Sequence, residues 1–167
     1  MNEQMHNILL LALGNDILGD DAAGLIASRE LQKQFPDHLH VVESPVAGFA
    51  LLDYLVGYDK VLILDSVVGD RNSQGSVHEL SVKDFAEQSF SSPHFVGLRD
   101  VIELANRLDV QFPTDIRILA ITICDPCVLR EGITEELEQQ LPRLVNEANT
   151  ILRSWIPASS MESSGAA

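Results

Sequence analysis

Short runs of aliphatic residues, each ended by a glycine or by polar residues, recur along the chain. Runs of this kind are typical of strands in a parallel sheet that is covered on both faces. One shorter segment, at residues 76–80, alternates between apolar and polar positions as a half-exposed edge strand does. The pattern therefore predicts five strands, at residues 8–13, 39–43, 60–66, 76–80 and 115–123.

Segments with apolar residues at helical spacing lie between these strands. The last of them begins at Thr134, a suitable N-cap, and carries acidic residues in its first turn. Pro142 lies inside that segment and is expected to kink or divide the helix. The predicted helices span residues 21–34, 49–56, 96–108 and 134–155, with a helical turn at 82–87 and loops at 69–75, 88–93 and 125–132.

This alternation of strands and helices predicts an α/β fold. Right-handed crossovers place helices on both faces of a sheet, so we expect a three-layer α/β/α domain around a twisted, mostly parallel, five-stranded sheet. A chain of 167 residues can form one domain with a sizeable core, which we assign to residues 1–156. The small and polar residues 157–167 are expected to be a disordered tail.

The composition argues against a membrane-spanning protein, a secreted protein and a protein that binds nucleic acid. Hydrophobic residues make up 46% of the chain, and no apolar stretch approaches the roughly 20 residues that a membrane span needs. The N-terminus has no basic region before its first apolar run, so we expect no signal peptide and a cytoplasmic location. A net charge of −14 repels nucleic acid and anionic membranes, and neither is expected as a partner.

The two cysteines form a single C-x-x-C motif, Cys124 to Cys127. Such a pair can be a redox centre or half of a metal site. A closed four-thiolate zinc site needs a second motif of the same kind. The other interpretation is two reduced thiols at the end of a strand.

A loop with three glycines follows the first predicted strand and resembles a phosphate-binding loop at first sight. Gly14, Gly19 and Gly24 are five residues apart, which is not the G-x-G-x-x-G spacing. Asp20 and Asp21 place negative charge where a phosphate needs bare amides. The loop therefore favours a cation or a proton over an anion.

Acidic side chains and one histidine follow the other predicted strands as well. Ligands of open α/β sheets bind outside the carboxyl ends of the strands, so we expect these residues to converge. Two carboxylates and an imidazole suit zinc, nickel, manganese or iron(II), and three ligands leave an open coordination position. The candidates are Asp21, Glu43, Asp65 and His94.

Each candidate also has an ordinary structural interpretation. Asp65 can cap a helix or bind loop amides, as an Asp at a strand end often does. Asp20 and Asp21 can serve as charges at the start of a helix. A single histidine such as His94 is usually a surface or hydrogen-bonded residue. The sequence pattern leaves these alternatives open.

Four motifs resemble those of the hydrogenase maturation proteases, the endopeptidases that trim the C-terminus of the [NiFe]-hydrogenase large subunit. Their order along the chain also matches, and together they cover about residues 7–155. The motifs are G-N-x-x-x-G-D-D-x-x-G at 14–24, an aliphatic strand ending in Asp65, S-P-H-F-V-G-L at 92–98 and G-I-T-E-E-L at 132–137.

The resemblance implies a phosphorylase/hydrolase-like sheet between helical layers and metal ligands at Asp21, Asp65 and His94. It implies a large-subunit precursor as substrate and partner, with nickel supplied by that substrate, although zinc or cadmium would also occupy the site in vitro. Asp21, Asp65 and Glu43 are then the catalytic candidates, with Asp21 or Glu43 as general base. We expect the protein to act as a monomer.

Two features depart from the family pattern. The family loop after the second strand often reads D-G-G-T-A-G, whereas this chain has E-S-P-V-A-G at 43–48, where Glu43 stands in for the acid. The C-D-P-C loop at 124–127 is not a usual family feature. Two other functions stay open: a non-catalytic maturation chaperone that binds the large subunit, and a flavodoxin-like binder of small molecules.

Overall fold

The described residues contain five strands and four helices. The structure, a computed structural model, describes residues 7–81, 84, 91–92, 94 and 97–157. The strands are Ile8–Leu13 (β1), His40–Ser44 (β2), Lys60–Val68 (β3), Val77–Leu80 (β4) and Asp115–Ile123 (β5). The helices are Ala23–Gln34 (α1), Leu51–Leu55 (α2), Leu98–Leu108 (α3) and Glu135–Trp155 (α4).

The strands form one sheet in the order β2-β1-β3-β5-β4. Neighbouring strands are parallel except for β4, which runs antiparallel to β5 at one edge. One buried cluster packs α1 and α4 against one face of the sheet, and a second packs α2 and α3 against the other. The predicted three-layer, mostly parallel architecture with five strands is confirmed.

Most element boundaries agree with the predictions, and the differences lie at the ends. β1 and β5 have the predicted bounds, β2 is shifted by one residue, and β3 is two residues longer than predicted. The predicted helices at 21–34 and 49–56 each begin with a turn of 3-10 helix, at Gly19–Ala22 and Gly48–Ala50. Pro142 lies inside α4 without dividing it.

Several predictions fall wholly or mostly on residues that the structure does not describe. These are the helical turn at 82–87, most of the loop at 88–93, the first residue of the helix predicted at 96–108, and the tail after residue 157. Within the described part of the chain, no helix has both the length and the apolar character needed to cross a bilayer.

The strands of the sheet end at different levels on its carboxyl edge. β3 and β5 stay paired as far as Val68 and Ile123, whereas β1 pairs with β3 only as far as Ala12 and Leu64. The chain turns away from the sheet at Gly14, whose φ is +147°. The 3-10 turn Gly19–Ala22 then returns over the end of β1 and leads into α1.

Gly14 permits a close approach between this turn and the strand. A Cβ atom at position 14 would lie 2.2 Å from the carbonyl oxygen of Asp21. No real Cβ tolerates that separation, so a side chain here would displace the turn that carries Asp21. The absence of a side chain at Gly14 therefore allows the turn that carries Asp21 to pack closely against the end of β1.

Gly14→Ala should destabilise the protein strongly because it adds both a positive-φ strain and a clash. Gly57→Ala is the matched control, since Gly57 has φ +90° and a methyl group added there would meet no atom within 4 Å. Positive φ alone should cost about 1 kcal/mol, and the clash should add roughly 2 kcal/mol at position 14. Urea denaturation of both variants measures the difference, and equal losses would show that the close approach does not matter.

Candidate metal centre

Asp21, Asp65 and His94 come together at the carboxyl edge of the sheet. Each offers a ligand atom, and these atoms lie within 4.8 Å of one another. All three side chains are buried, with relative exposures of 5%, 0% and 7%. In the described part of the chain, no other group of three histidine, cysteine or acidic residues is gathered in this way.

Three different elements deliver the three side chains. Asp21 lies in the 3-10 turn between β1 and α1, and Asp65 lies in β3 beyond the last pair with β1. His94 follows Ser92, close to the point where Ser91 pairs with Val68 at the end of β3. The convergence that the strand-end rule predicted is therefore present for these three residues.

The His94 ring is oriented by a main-chain carbonyl. Its Nδ1 lies 2.8 Å from the carbonyl oxygen of Val46. A carbonyl can only accept, so Nδ1 carries the proton and Nε2 presents its lone pair. Nε2 lies 4.0 Å from Oδ1 of Asp65, facing the carboxylates. This arrangement, with one ring nitrogen donating to a carbonyl, is the usual preparation of a metal-binding histidine.

Two buried serines hold the carboxylates. The Ser66 hydroxyl donates to Oδ1 of Asp21 at 2.7 Å, and the Ser66 backbone N–H donates to Oδ1 of Asp65 at the same distance. The Ser92 hydroxyl donates to Oδ2 of Asp65 at 2.6 Å and accepts the His94 backbone N–H at 3.2 Å. Ser66 thus contacts both acids, and Ser92 links the second acid to the histidine.

Burial raises the pKa of Asp65 well above its usual value. The hydrogen bonds from Ser92 and Ser66 act in the opposite direction, and the neighbouring Asp21 charge raises the pKa further. Burial is the largest of these effects. A cation beside the carboxylate would reverse the balance by favouring its charged form.

The residues fit a borderline divalent metal. The donor set is one imidazole nitrogen and carboxylate oxygens, with hydrogen-bonded partners behind each ligand. A tetrahedral ion with bonds of about 2.1 Å needs donor atoms roughly 3.4 Å apart, so the cluster must close slightly around it. Three ligands leave a coordination position for a group brought by another molecule.

Glu43 lies outside this cluster. It is an exposed residue of β2, and both of its carboxylate oxygens accept hydrogen bonds from Arg29, at 2.8 and 2.6 Å. Arg29 also pairs with Asp16 at 2.9 Å, and the two acids raise the pKa of the guanidinium. The arginine therefore joins the end of β2 to the loop after β1.

Asp20, the neighbour of Asp21, connects distant elements. Its carboxylate accepts the backbone N–H of Thr134 at 2.6 Å and the Thr134 hydroxyl at 3.1 Å. Thr134 occupies the predicted N-cap position of α4, but its own side chain makes no capping bond. Asp20 therefore joins the start of α4 to the turn that carries Asp21.

The cysteines lie in the loop after β5. Both are free thiols, and Cys124 donates to the side-chain oxygen of Gln74 at 3.0 Å. Cys127 is exposed, and its backbone N–H donates to Asp125. Two free thiols after the end of β5 agree with the interpretation of the motif as a pair of reduced cysteines.

Residue-type arguments did not identify the two serines or the Val46 carbonyl. A hydroxyl residue directly after Asp65 in an aliphatic strand is a weak signal for Ser66, because a buried hydroxyl needs a partner. The Ser92 hydroxyl lies in a motif already noted for its histidine. Nothing in the sequence marks Val46, since a backbone carbonyl is available at every residue.

A model of the hydrogenase maturation protease family, HycI, matches residues 26–151. A curated relative from Escherichia coli strain K12, named hydrogenase 2 maturation protease, is 27% identical over 150 residues, which is 87% of this chain and 90% of the relative. The matched range includes Asp65 and His94 and begins after Asp21.

Solved structures agree with this comparison. The hydrogenase maturating endopeptidase HybD from E. coli superposes with a TM-score of 0.73 and 26% identity, covering 92% of this chain and 99% of that one. The [NiFe] hydrogenase maturation protease HybD from Thermococcus kodakarensis gives a TM-score of 0.66 and 25% identity, with 87% and 99% covered.

The raised pKa of Asp65 predicts a pH-dependent cost of burying this acid. Burial favours the protonated form of Asp65. The contribution of this residue to the free energy of unfolding is therefore fully present below its unfolded pKa of about 3.9, and it is lost as the pH rises through the raised pKa of the folded state. Asp65→Asn should therefore raise the Tm of chelator-treated protein, by an amount that grows from pH 4 upward. Thermal scans of wild type, Asp65→Asn and the exposed Asp53→Asn, which controls for the lost formal charge, test this. A Tm difference that is constant with pH would contradict it.

Proposed function

This chain belongs to the hydrogenase maturation protease family and is an endopeptidase, and from that premise we propose its substrate and mechanism. We propose that it removes the C-terminal extension of a [NiFe]-hydrogenase large-subunit precursor after nickel has been inserted. The observation that carries the proposal is the buried group of Asp21, Asp65 and His94, whose ligand atoms lie within 4.8 Å of one another. Three ligands with an open position suit a metal that arrives already bound to another protein.

In this proposal nickel belongs to the substrate. Asp21, Asp65 and the Nε2 atom of His94 bind it and so position the precursor on the enzyme. A divalent metal next to a peptide bond polarises the carbonyl and lowers the pKa of a bound water. Ser66 and Ser92 keep the carboxylates in place by donating to oxygens of Asp21 and Asp65.

Two carboxylates are candidates for the general base that activates the water. A base must lie within hydrogen-bond reach of the proton it removes. Asp21 lies in the cluster, whereas Glu43 lies outside it with both oxygens engaged by Arg29. Only a carboxylate oxygen that is not bound to the metal can take this proton. We therefore favour the metal-free oxygen of Asp21 as the base and assign Glu43 to holding the loop after β1 through Arg29.

We also propose the partner, the cellular location and the oligomeric state of the protein. The partner is the precursor protein, with no nucleic acid or membrane involved, and the reaction takes place in the cytoplasm, where the protein acts as a monomer. The net charge of −14 supports the exclusion of polyanionic partners. Zinc or cadmium should bind the same three ligands in vitro.

Mass spectrometry of a nickel-loaded large-subunit precursor, before and after addition of this protein, tests the proposal. Wild type should shorten the nickel-loaded precursor and leave the nickel-free precursor intact. His94→Ala should lower the cleavage rate at least roughly 100-fold, because it removes a ligand rather than a supporting group. The control is His78→Ala, which removes a histidine that contacts Thr122 instead.

The other outcomes have distinct meanings. Normal cleavage by His94→Ala would remove that residue from the site, and equal cleavage of both precursors would contradict nickel dependence. A stable complex without loss of mass would favour the non-catalytic chaperone. Loss of cleavage in Glu43→Gln, with metal binding intact and with cleavage retained in Arg29→Gln, would transfer the role of base from Asp21 to Glu43.

Ser66→Ala should weaken metal binding about ten-fold, as loss of a partner behind a ligand typically does. The variant keeps the backbone N–H that Asp65 accepts and removes only the hydroxyl bond to Asp21. Calorimetric titration of the isolated protein with Ni²⁺ and with Zn²⁺ measures the effect. Ser66→Thr should restore most of the affinity because it retains a hydroxyl.

Ser28→Ala is the matched control for this measurement. Ser28 is also buried, but its hydroxyl donates to the Leu25 carbonyl. Equal metal affinity in all four proteins would show that the Ser66 hydroxyl does not position Asp21.

A further inference from the structure

Among the described residues, large apolar side chains are exposed mainly at the edge of the sheet where the candidate metal centre lies. Val56 and Leu108 are exceptions, since they end helices that lead toward the amino ends of β3 and β5. The others follow the carboxyl ends of strands. They are Ile17 after β1, Phe49 after β2, Val68 at the end of β3, and Val128 and Leu129 after β5.

Three of these residues form what we call the apolar patch: Ile17, Val128 and Leu129, which are 57%, 45% and 77% exposed. Backbone hydrogen bonds join the two loops that carry them. Arg130 N–H donates to the Ile17 carbonyl at 3.1 Å, and Gly19 N–H donates to the Arg130 carbonyl at 2.9 Å. The patch is therefore built by a short parallel bridge between loops, and is not a set of unrelated side chains.

The apolar patch is tied directly to the metal centre. Leu18, the residue between Ile17 and Gly19, pairs with Arg130 in the bridge. The Leu18 carbonyl accepts the backbone N–H of Asp21 at 3.2 Å. Leu18 in the bridge therefore lies three residues before Asp21 along the chain and is hydrogen-bonded to its backbone.

The surroundings of the patch are acidic. Asp125 and Glu131 are exposed on the loop after β5, and Asp16 is exposed on the loop after β1, where it pairs with Arg29. Arg130, the cation between Asp125 and Glu131, donates to the Ile133 carbonyl at 2.8 Å. Aliphatic side chains bordered by carboxylates complement a segment that carries both aliphatic and Lys or Arg side chains.

We propose that the apolar patch binds an extended segment of the precursor protein, with aliphatic and basic side chains, next to the bond that is cleaved. This rests on the proposed function, because a metal held by another protein reaches the buried cluster only if that protein covers this edge of the sheet. The patch continues the same edge by way of Leu18. Its role is to bind substrate, and it takes no part in holding the metal.

Matched pairs of substitutions test the proposal with the full-length protein. Val128→Ser and Leu129→Ser alter the patch, and Val56→Ser and Leu108→Ser alter exposed residues of the same types at other positions. With the nickel-loaded precursor, each patch variant should raise KM about ten-fold and leave kcat within two-fold. The two control variants should leave KM unchanged, and Zn²⁺ affinity should be the same in all five proteins.

Three results would overturn the proposal. One is an unchanged KM in the patch variants while wild type cleaves the precursor, which leaves the proposed function intact. Another is an equal rise in KM in the control pair. The third is concentration-dependent self-association of wild type, seen by sedimentation and lost in Val128→Ser, which would assign the patch to a second copy of the chain.

The two proposals fail in different ways. If wild type cleaves no precursor, the proposed function fails, and calorimetric binding of the precursor still tests the patch by the same four variants. Basic side chains in the bound segment should also make the interaction weaken as salt rises from 50 to 500 mM. Binding that is insensitive to both salt and the patch substitutions would contradict docking at this surface.

Discussion

Two carboxylates buried side by side are the constraint on which the carboxyl edge of the sheet, with its candidate metal centre, depends. Asp21 and Asp65 are almost fully removed from water, and burial together with the like charge of Asp21 raises the pKa of Asp65. Two unit charges about 4 Å apart repel by about 4 kcal/mol at an effective dielectric constant of 20. Such a pair persists in a folded protein only if donors surround it or if a proton or cation neutralises it.

The neighbouring structure can be understood as a response to this constraint. Ser66 donates to both acids, through its hydroxyl to one and through its backbone to the other, and Ser92 donates to the second. Gly14 lets the turn that carries Asp21 approach the end of β1. Asp20 joins that turn to α4 through Thr134, so the position of one ligand is linked to a helix 114 residues away.

The sequence predicted the fold and the convergence of Asp21, Asp65 and His94. Apolar periodicity placed the strands, and the rule for open α/β sheets predicted that acidic residues at strand ends would meet at one edge. The family resemblance then distinguished Asp21, Asp65 and His94 as the ligands. The hydrogen-bond partners of these residues were harder to predict, because a hydrogen bond between residues distant in the chain produces no periodic pattern in the sequence. Glu43 illustrates the limit: it follows the same rule, yet Arg29 of α1 holds it outside the cluster.

The same electrostatics explains how such a site can act on one state of its substrate. Without a cation, burial opposes the charged form of Asp65 and raises the pKa of its carboxyl group. In the mechanism that we propose, a metal brought by the substrate would neutralise both acids at once and make their hydrogen bonds to the serines charge-assisted. A substrate that lacks the metal receives none of this stabilisation, because its contacts with the surrounding loops leave the buried acids unchanged. Discrimination then comes from the free energy of neutralising two carboxylates, with no need for a conformational change elsewhere in the fold.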